Sequence, residues 1–151
     1  MSLLIDPGLE GTTKEERKWA MLSHATAMGY MFVPIPLPLG NLLGPLIIWG
    51  WKGRSSEFVR VHAARSVNFQ IPMAILHAIV MALDLGLIMG IEAGRGGKFF
   101  VYMVVGFHML MTICASLLAM DGRYWFYPLQ IPVLKEKPKV GKSQRAEEGS
   151  V

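Results

Sequence analysis

The sequence predicts an all-α membrane protein, and three observations lead there. Of its 151 residues, 52 % are apolar and only 17 % are charged, a balance poorer in charge than that of an ordinary soluble domain. The apolar residues fall in blocks, about 19–37, 42–51, 68–91 and 99–120, with the charges gathered at the block ends, as a hydrocarbon solvent requires. What remains between the blocks is too short for a soluble catalytic domain.

Thr13 and Glu16 have the spacing of a capping box, with Thr12 and Glu15 as a register one residue earlier. A first helix therefore starts here, meets the membrane near Trp19 and is stopped by Pro34, Pro36 and Pro38. A second starts after Asn41, a candidate N-cap, and runs from Leu42 to Trp51. Two ordinary spans need roughly 40 residues, so these two form either a thin hairpin or a re-entrant one shielded by the other helices.

Ser55 or Ser56 caps a short helix with Phe58, Val61 and His62 on one face and Arg60 and Arg65 beside it, the pattern of a helix lying flat in the interface. Two full-length spans follow, Asn68 to Ile91 and Phe99 to Met120, folded back on each other through the glycine-rich stretch 92–98. The expected fold is thus four short hydrophobic helices plus an interfacial one. An N-terminal cytoplasmic segment 1–13 precedes the membrane helical domain 14–134, and a basic disordered cytoplasmic tail 135–151 follows it.

Every Lys and Arg except Arg95 and Lys98 lies before the first helix, in the middle loop or after the last span. Basic residues favour the cytoplasmic side, so both termini are expected there, in a bacterial inner membrane crossed more than once. Trp19, Trp49, Trp51 and Trp125 fall at the same interface, where indole anchors well. The N-terminus lacks the order of a cleavable signal, and the single Cys114 sits inside an apolar segment as an expected inert thiol.

Three motifs, EERKWAMLSHATAMGY, then PLGNLLGPLIIWGWK with FVRVHAARSVNFQI, and DGRYWFYPLQIPVL, cover roughly residues 15–134. Together they resemble a widespread bacterial family of small uncharacterised multi-pass membrane proteins, distantly related to a chloroplast inner-envelope protein-import subunit. The matching positions are Trp19 and His24; Gly40, Asn41, Gly44 and Pro45; His62, Asn68, Phe69 and Gln70; and Tyr127, Pro128 and Leu129. The resemblance implies a four-helix membrane domain and, through the plastid relative, a link to protein translocation.

Ionisable groups inside a span need a reason to be there, which singles out His77, Asp84 and His108. Seven residues return a helix to nearly the same face, so His77 and Asp84 form a polar stripe, and the folded-back hairpin brings His108 and Thr112 to similar depth. Opposite them, Ala82, Gly86, Gly90 and Gly94 form a small-residue ladder for helix packing. The polar groups read as interhelical hydrogen bonding, as a proton or ion path, or as paired axial ligands of a haem at His77 and His108. The eleven methionines are scattered through the spans and read as gap fillers rather than copper ligands.

No catalytic motif and no metal-ligand spacing is present, and no cofactor is expected. The expected role is a non-enzymatic scaffold or accessory subunit of a membrane assembly, acting through a membrane-protein partner or as a homo-oligomer. A small transporter or channel subunit is the competing class, and a haem-binding redox protein the third. Lys135, Lys137, Lys139, Lys142 and Arg145 against Glu136 favour anionic lipid at the tail over nucleic acid.

Overall fold

The computed structural model describes residues 5–6, 11–32, 40–88 and 96–135. Four α-helices carry the fold: α1 (Lys14–Ala25), α2 (Gly40–Trp51), α3 (Glu57–Ile88) and α4 (Gly96–Met120). Two short strands, β1 (Ile5–Asp6) and β2 (Tyr124–Trp125), pair antiparallel, Ile5 opposite Trp125 and Asp6 opposite Tyr124.

Helix α1 starts where local chemistry dictates. Thr13 N donates to Glu16 Oε2 at 2.8 Å and Glu16 N donates to Thr13 Oγ1 at 3.2 Å, a complete capping box. The helix ends at Ala25 and tightens into a 3-10 segment, Thr26–Phe32, rather than running on to residue 37. Helix α2 begins one residue before Asn41, whose side chain is buried and points to α3 instead of capping its own helix.

The middle of the chain departs most from expectation. The interfacial helix and the following span are one continuous helix, α3, and its first half is the centre of the fold rather than a surface helix. Residues 61–70 are all buried, wrapped by α1, α2, the C-terminal half of α4 and the segment after it. Ala63, Ala64 and Ser66 are small enough for neighbours to approach closely. Arg65 is hidden as well, its guanidinium lying 3.7 Å over the Phe126 ring and donating to Trp125 O at 3.3 Å.

Three apolar clusters surround α3. Phe58 and Val61 meet Ala20, Ala119 and Tyr124; Phe69 and Met73 meet Ala115 and Tyr127; Val59 and Ala63 meet Ile48, with Trp19, Leu22 and Trp49 at their edge. Gly44 lets α2 approach the 3-10 segment, since a Cβ there would stand 2.5 Å from Thr26 Cβ.

Helix α4 closes in a Schellman motif: Arg123 N donates to Leu118 O, and Gly122 N to Ala119 O, with Gly122 at a φ of 78° that favours glycine. Among the described residues, its Phe99–Met120 stretch is the one helical segment long and apolar enough to cross a bilayer. Of the four hydrophobic spans expected, this is the one that length and composition support among the described residues; the end of the expected 68–91 span lies outside them. Helices α1 and α2 are twelve residues each, and the buried half of α3 is packed inside the protein and is rich in polar side chains.

Candidate functional site

Three motif residues from three parts of the chain meet in the interior. His24 Nε2 lies 2.9 Å from His62 Nδ1, and the Tyr127 hydroxyl lies 2.9 Å from His24 Nδ1. This is a continuous hydrogen-bonded line from the segment after α4, through α1, to α3. Its open end is His62 Nε2, which is buried and has no hydrogen-bond partner.

Aromatic packing fixes each ring. His62 stacks on Tyr124 with centroids 5.2 Å apart and an interplanar angle of 21°, and Tyr127 stacks on Phe69 at 4.0 Å and 5°. Burial, then His24, then Arg65 hold the His62 imidazole well below its ordinary range, so it is neutral. Burial above all raises the Tyr127 hydroxyl well beyond its usual value, so it keeps its proton. The line is polar and uncharged. A general acid or base must reach substrate or water, and neither end of this line does.

A second polar group lies beside Pro72. Proline has no N–H, so the Asn68 carbonyl four residues earlier loses its helical partner. Ile131 N supplies the missing bond at 3.0 Å. The Asn68 side chain then holds the next residues: its Oδ1 accepts from Val133 N at 3.0 Å and from Leu134 N at 2.8 Å, and its Nδ2 donates to Leu134 O at 2.9 Å. Asn41 Nδ2 donates to Gln70 Oε1 at 2.9 Å and to Gln70 O at 3.2 Å, tying α2 to the same stretch of α3.

The intramembrane candidates come together only in part. His77 and His108 touch across α3 and α4, edge to face, with ring centroids 5.1 Å apart, and His77 Nδ1 lies 2.6 Å from Met73 O. Rings in direct contact leave no slot for a porphyrin, so this is not the geometry of a bis-histidine haem. Thr112 is buried one turn beyond His108, with its hydroxyl unpartnered. Asp84 belongs to α3, but its side chain lies outside the described residues, and with it the expected bond from His108.

Of the small-residue ladder, Ala82 is exposed instead of packed against a neighbour; Gly86 lies in α3, and Gly90 and Gly94 fall outside the described residues. Pro128 and Leu129 are exposed, Pro45 is buried in α2, and Gly40 opens that helix. Cys114 is a half-buried free thiol. Among the described residues, no three His, Cys, Asp or Glu side chains converge as a metal site. Sequence reasoning passed over Tyr124, which stacks on His62, and read Arg65, which lies over the Tyr124 ring, as an interfacial residue; the aromatic run 124–127 was the signal available.

The fold and this site define a small helical protein that has, among its described residues, one helix long and apolar enough to cross a bilayer, and an interior in which His24, His62, Tyr127 and Asn68 bond one another or the backbone. The chain belongs to the MamF/MmsF family, described as the magnetosome magnetite crystal formation protein family, whose profile matches residues 15–134. Membership agrees with the long apolar helix in placing the protein at a bacterial membrane. The family description says nothing of protein import, and the expected relation to a plastid import subunit finds no support in it. The comparisons with curated proteins and with solved structures give no match.

Proposed function

We propose that this protein is a non-enzymatic structural subunit of the magnetosome membrane that takes part in magnetite crystal formation by positioning partners, protein or its own copies. The observation that supports this most is the use to which its polar interior is put. His24, His62 and Tyr127 bond one another, while Asn68 and Arg65 bond the backbone of the segment after α4, so these groups fix a shape instead of facing a substrate. Helix α4 in turn presents Phe100, Tyr102, Met103 and Leu117 outward, each more than half exposed, as a lipid- or helix-facing surface. On this reading both termini lie in the cytoplasm, with α4 and the C-terminal half of α3, which touch at His77 and His108, crossing the membrane as a pair.

The test is a tagged full-length protein expressed in a magnetite-forming bacterium, crosslinked in native membranes, beside a strain lacking the gene. A reproducible crosslinked partner or homo-oligomer in the magnetosome fraction, with altered crystals in the deletion strain, is expected. Crosslinks to lipid alone together with unaltered crystals overturn the proposal.

A second reading, a small transporter or channel subunit, draws on the His77–His108 contact and the unpartnered Thr112 hydroxyl within α4. An Asp84→Asn variant with unchanged proton and ion flux in vesicles removes it.

A further inference from the structure

The charges on α1 are sorted by face. Glu15 accepts from Trp19 Nε1 and pairs with Lys52 at 3.5 Å, and Glu16 accepts from the Ser56 hydroxyl at 2.7 Å, so both carboxylates turn toward the loop between α2 and α3. Lys14, Arg17, Lys18 and Met21 occupy positions i, i+3, i+4 and i+7, a single stripe on another face. With Met120 they line a groove of about 520 Å³ between α1 and the C-terminal end of α4. Arg17 Nε is held by Thr12 Oγ1 at 2.9 Å, which fixes its guanidinium at the rim. No carboxylate lines the groove; Asp121, one residue past Met120, is exposed and does not contribute to it.

The floor of the groove continues as an apolar track. Leu110, Ile113, Leu117 and Met120 recur at helical spacing on α4 and are 55, 42, 61 and 55 % exposed. At helical rise this track is roughly 15 Å long. That is about half the thickness of a bilayer's hydrocarbon core, the depth of one leaflet. Three basic side chains thus stand at the end of a leaflet-deep apolar surface, where charge and length together match one occupant.

We propose that Lys14, Arg17 and Lys18, with Met21 and Met120 beneath them, bind the headgroup of an anionic phospholipid whose acyl chain lies along the Leu110–Met120 face of α4. This rests on α4 crossing the membrane and is separate from the basic tail. The lysines act as point charges toward the phosphate, and the preset Arg17 supplies directed N–H donors.

The full chain is reconstituted in phosphatidylcholine bilayers, and electron paramagnetic resonance reads the protein-restricted fraction of spin-labelled phosphatidylglycerol and of spin-labelled phosphatidylcholine. The wild type is expected to prefer phosphatidylglycerol. Lys14→Gln/Lys18→Gln, checked for unchanged helix content, weakens that preference by roughly five-fold for each charge removed. Lys14→Arg/Lys18→Arg keeps the preference, as does Lys135→Gln/Lys137→Gln/Lys139→Gln in the tail. An unchanged preference in the double Gln variant, its loss in the tail variant, or its abolition by millimolar inorganic phosphate overturns the site. A chain that restricts neither lipid overturns the membrane placement of α4 as well, which separates the two failures.

Discussion

The main-chain carbonyl of Asn68 accepts a hydrogen bond from Ile131 N–H at 3.0 Å, across 63 residues of chain. Pro72 creates the vacancy, and the segment after α4 fills it. A proline within a buried helix, ordinarily a defect, is here the attachment point for a stretch with no regular structure of its own.

Replacing Pro72 by Ala restores an N–H at position 72, which competes with Ile131 for that carbonyl. Helix α3 is then expected to gain a hydrogen bond while the Ile131 amide exchanges roughly five- to ten-fold faster, the worth of one weakened bond. Hydrogen exchange in detergent reads both. Unchanged protection at Ile131 contradicts the attachment.

Asn68→Ala removes the bonds to Val133 N, Leu134 N and Leu134 O at once; Val133 N keeps its bond to Ile131 O at 2.8 Å, while both half-buried Leu134 backbone groups lose these contacts. The expected loss is about 2–4 kcal/mol of stability, seen as a lower thermal midpoint, with 131–134 opening first in exchange. Asn68→Asp keeps the two acceptor bonds and falls between.

Acid should unfold the protein from near neutrality. The folded form holds His62 neutral, whereas the unfolded chain takes up a proton below its ordinary 6.5. The unfolded state then binds more protons, so this site's stability is complete above that pH and is lost as pH falls below it, by about 1.4 kcal/mol per unit. His62→Gln is expected to flatten the fall in thermal midpoint between pH 6.5 and 5; an unaltered slope contradicts it.

Gly44→Ala places a Cβ 2.4 Å from Thr26 Oγ1 and 2.5 Å from Thr26 Cβ. A destabilisation of about 1–3 kcal/mol is expected, and Thr26→Ala does not rescue it because the Cβ remains. Rescue by that second substitution shows that only the hydroxyl was in the way.

Local features were legible in the sequence and distant ones were not. The capping box at Thr13 and Glu16 depends on residues three apart, and α4 on one apolar run, so both can be read directly. His24, His62 and Tyr127 stand out as motif positions, yet nothing local shows that residues 38 and 103 apart would bond. The same blindness split α3: Arg60 and Arg65 read as an interfacial edge because their partners, Glu57 on the same helix and the Trp125 carbonyl with its neighbouring rings, had yet to be brought together. Pro72 marked a loosened carbonyl, and the amide-rich 68–70 marked the means to satisfy such groups; the Ile131 amide that fills it was not foreseeable.

The most direct test of a structural rather than chemical role is the size distribution of magnetite crystals in cells carrying Tyr127→Phe. This removes the hydroxyl from His24 and leaves the stacking on Phe69, at a cost of about 1–2 kcal/mol in a chain that still folds. Wild-type crystals from folded Tyr127→Phe protein are the predicted result. Crystals like those of the deletion strain, from a variant folded and present at wild-type level in the membrane, would show that the hydroxyl performs chemistry and contradict the account.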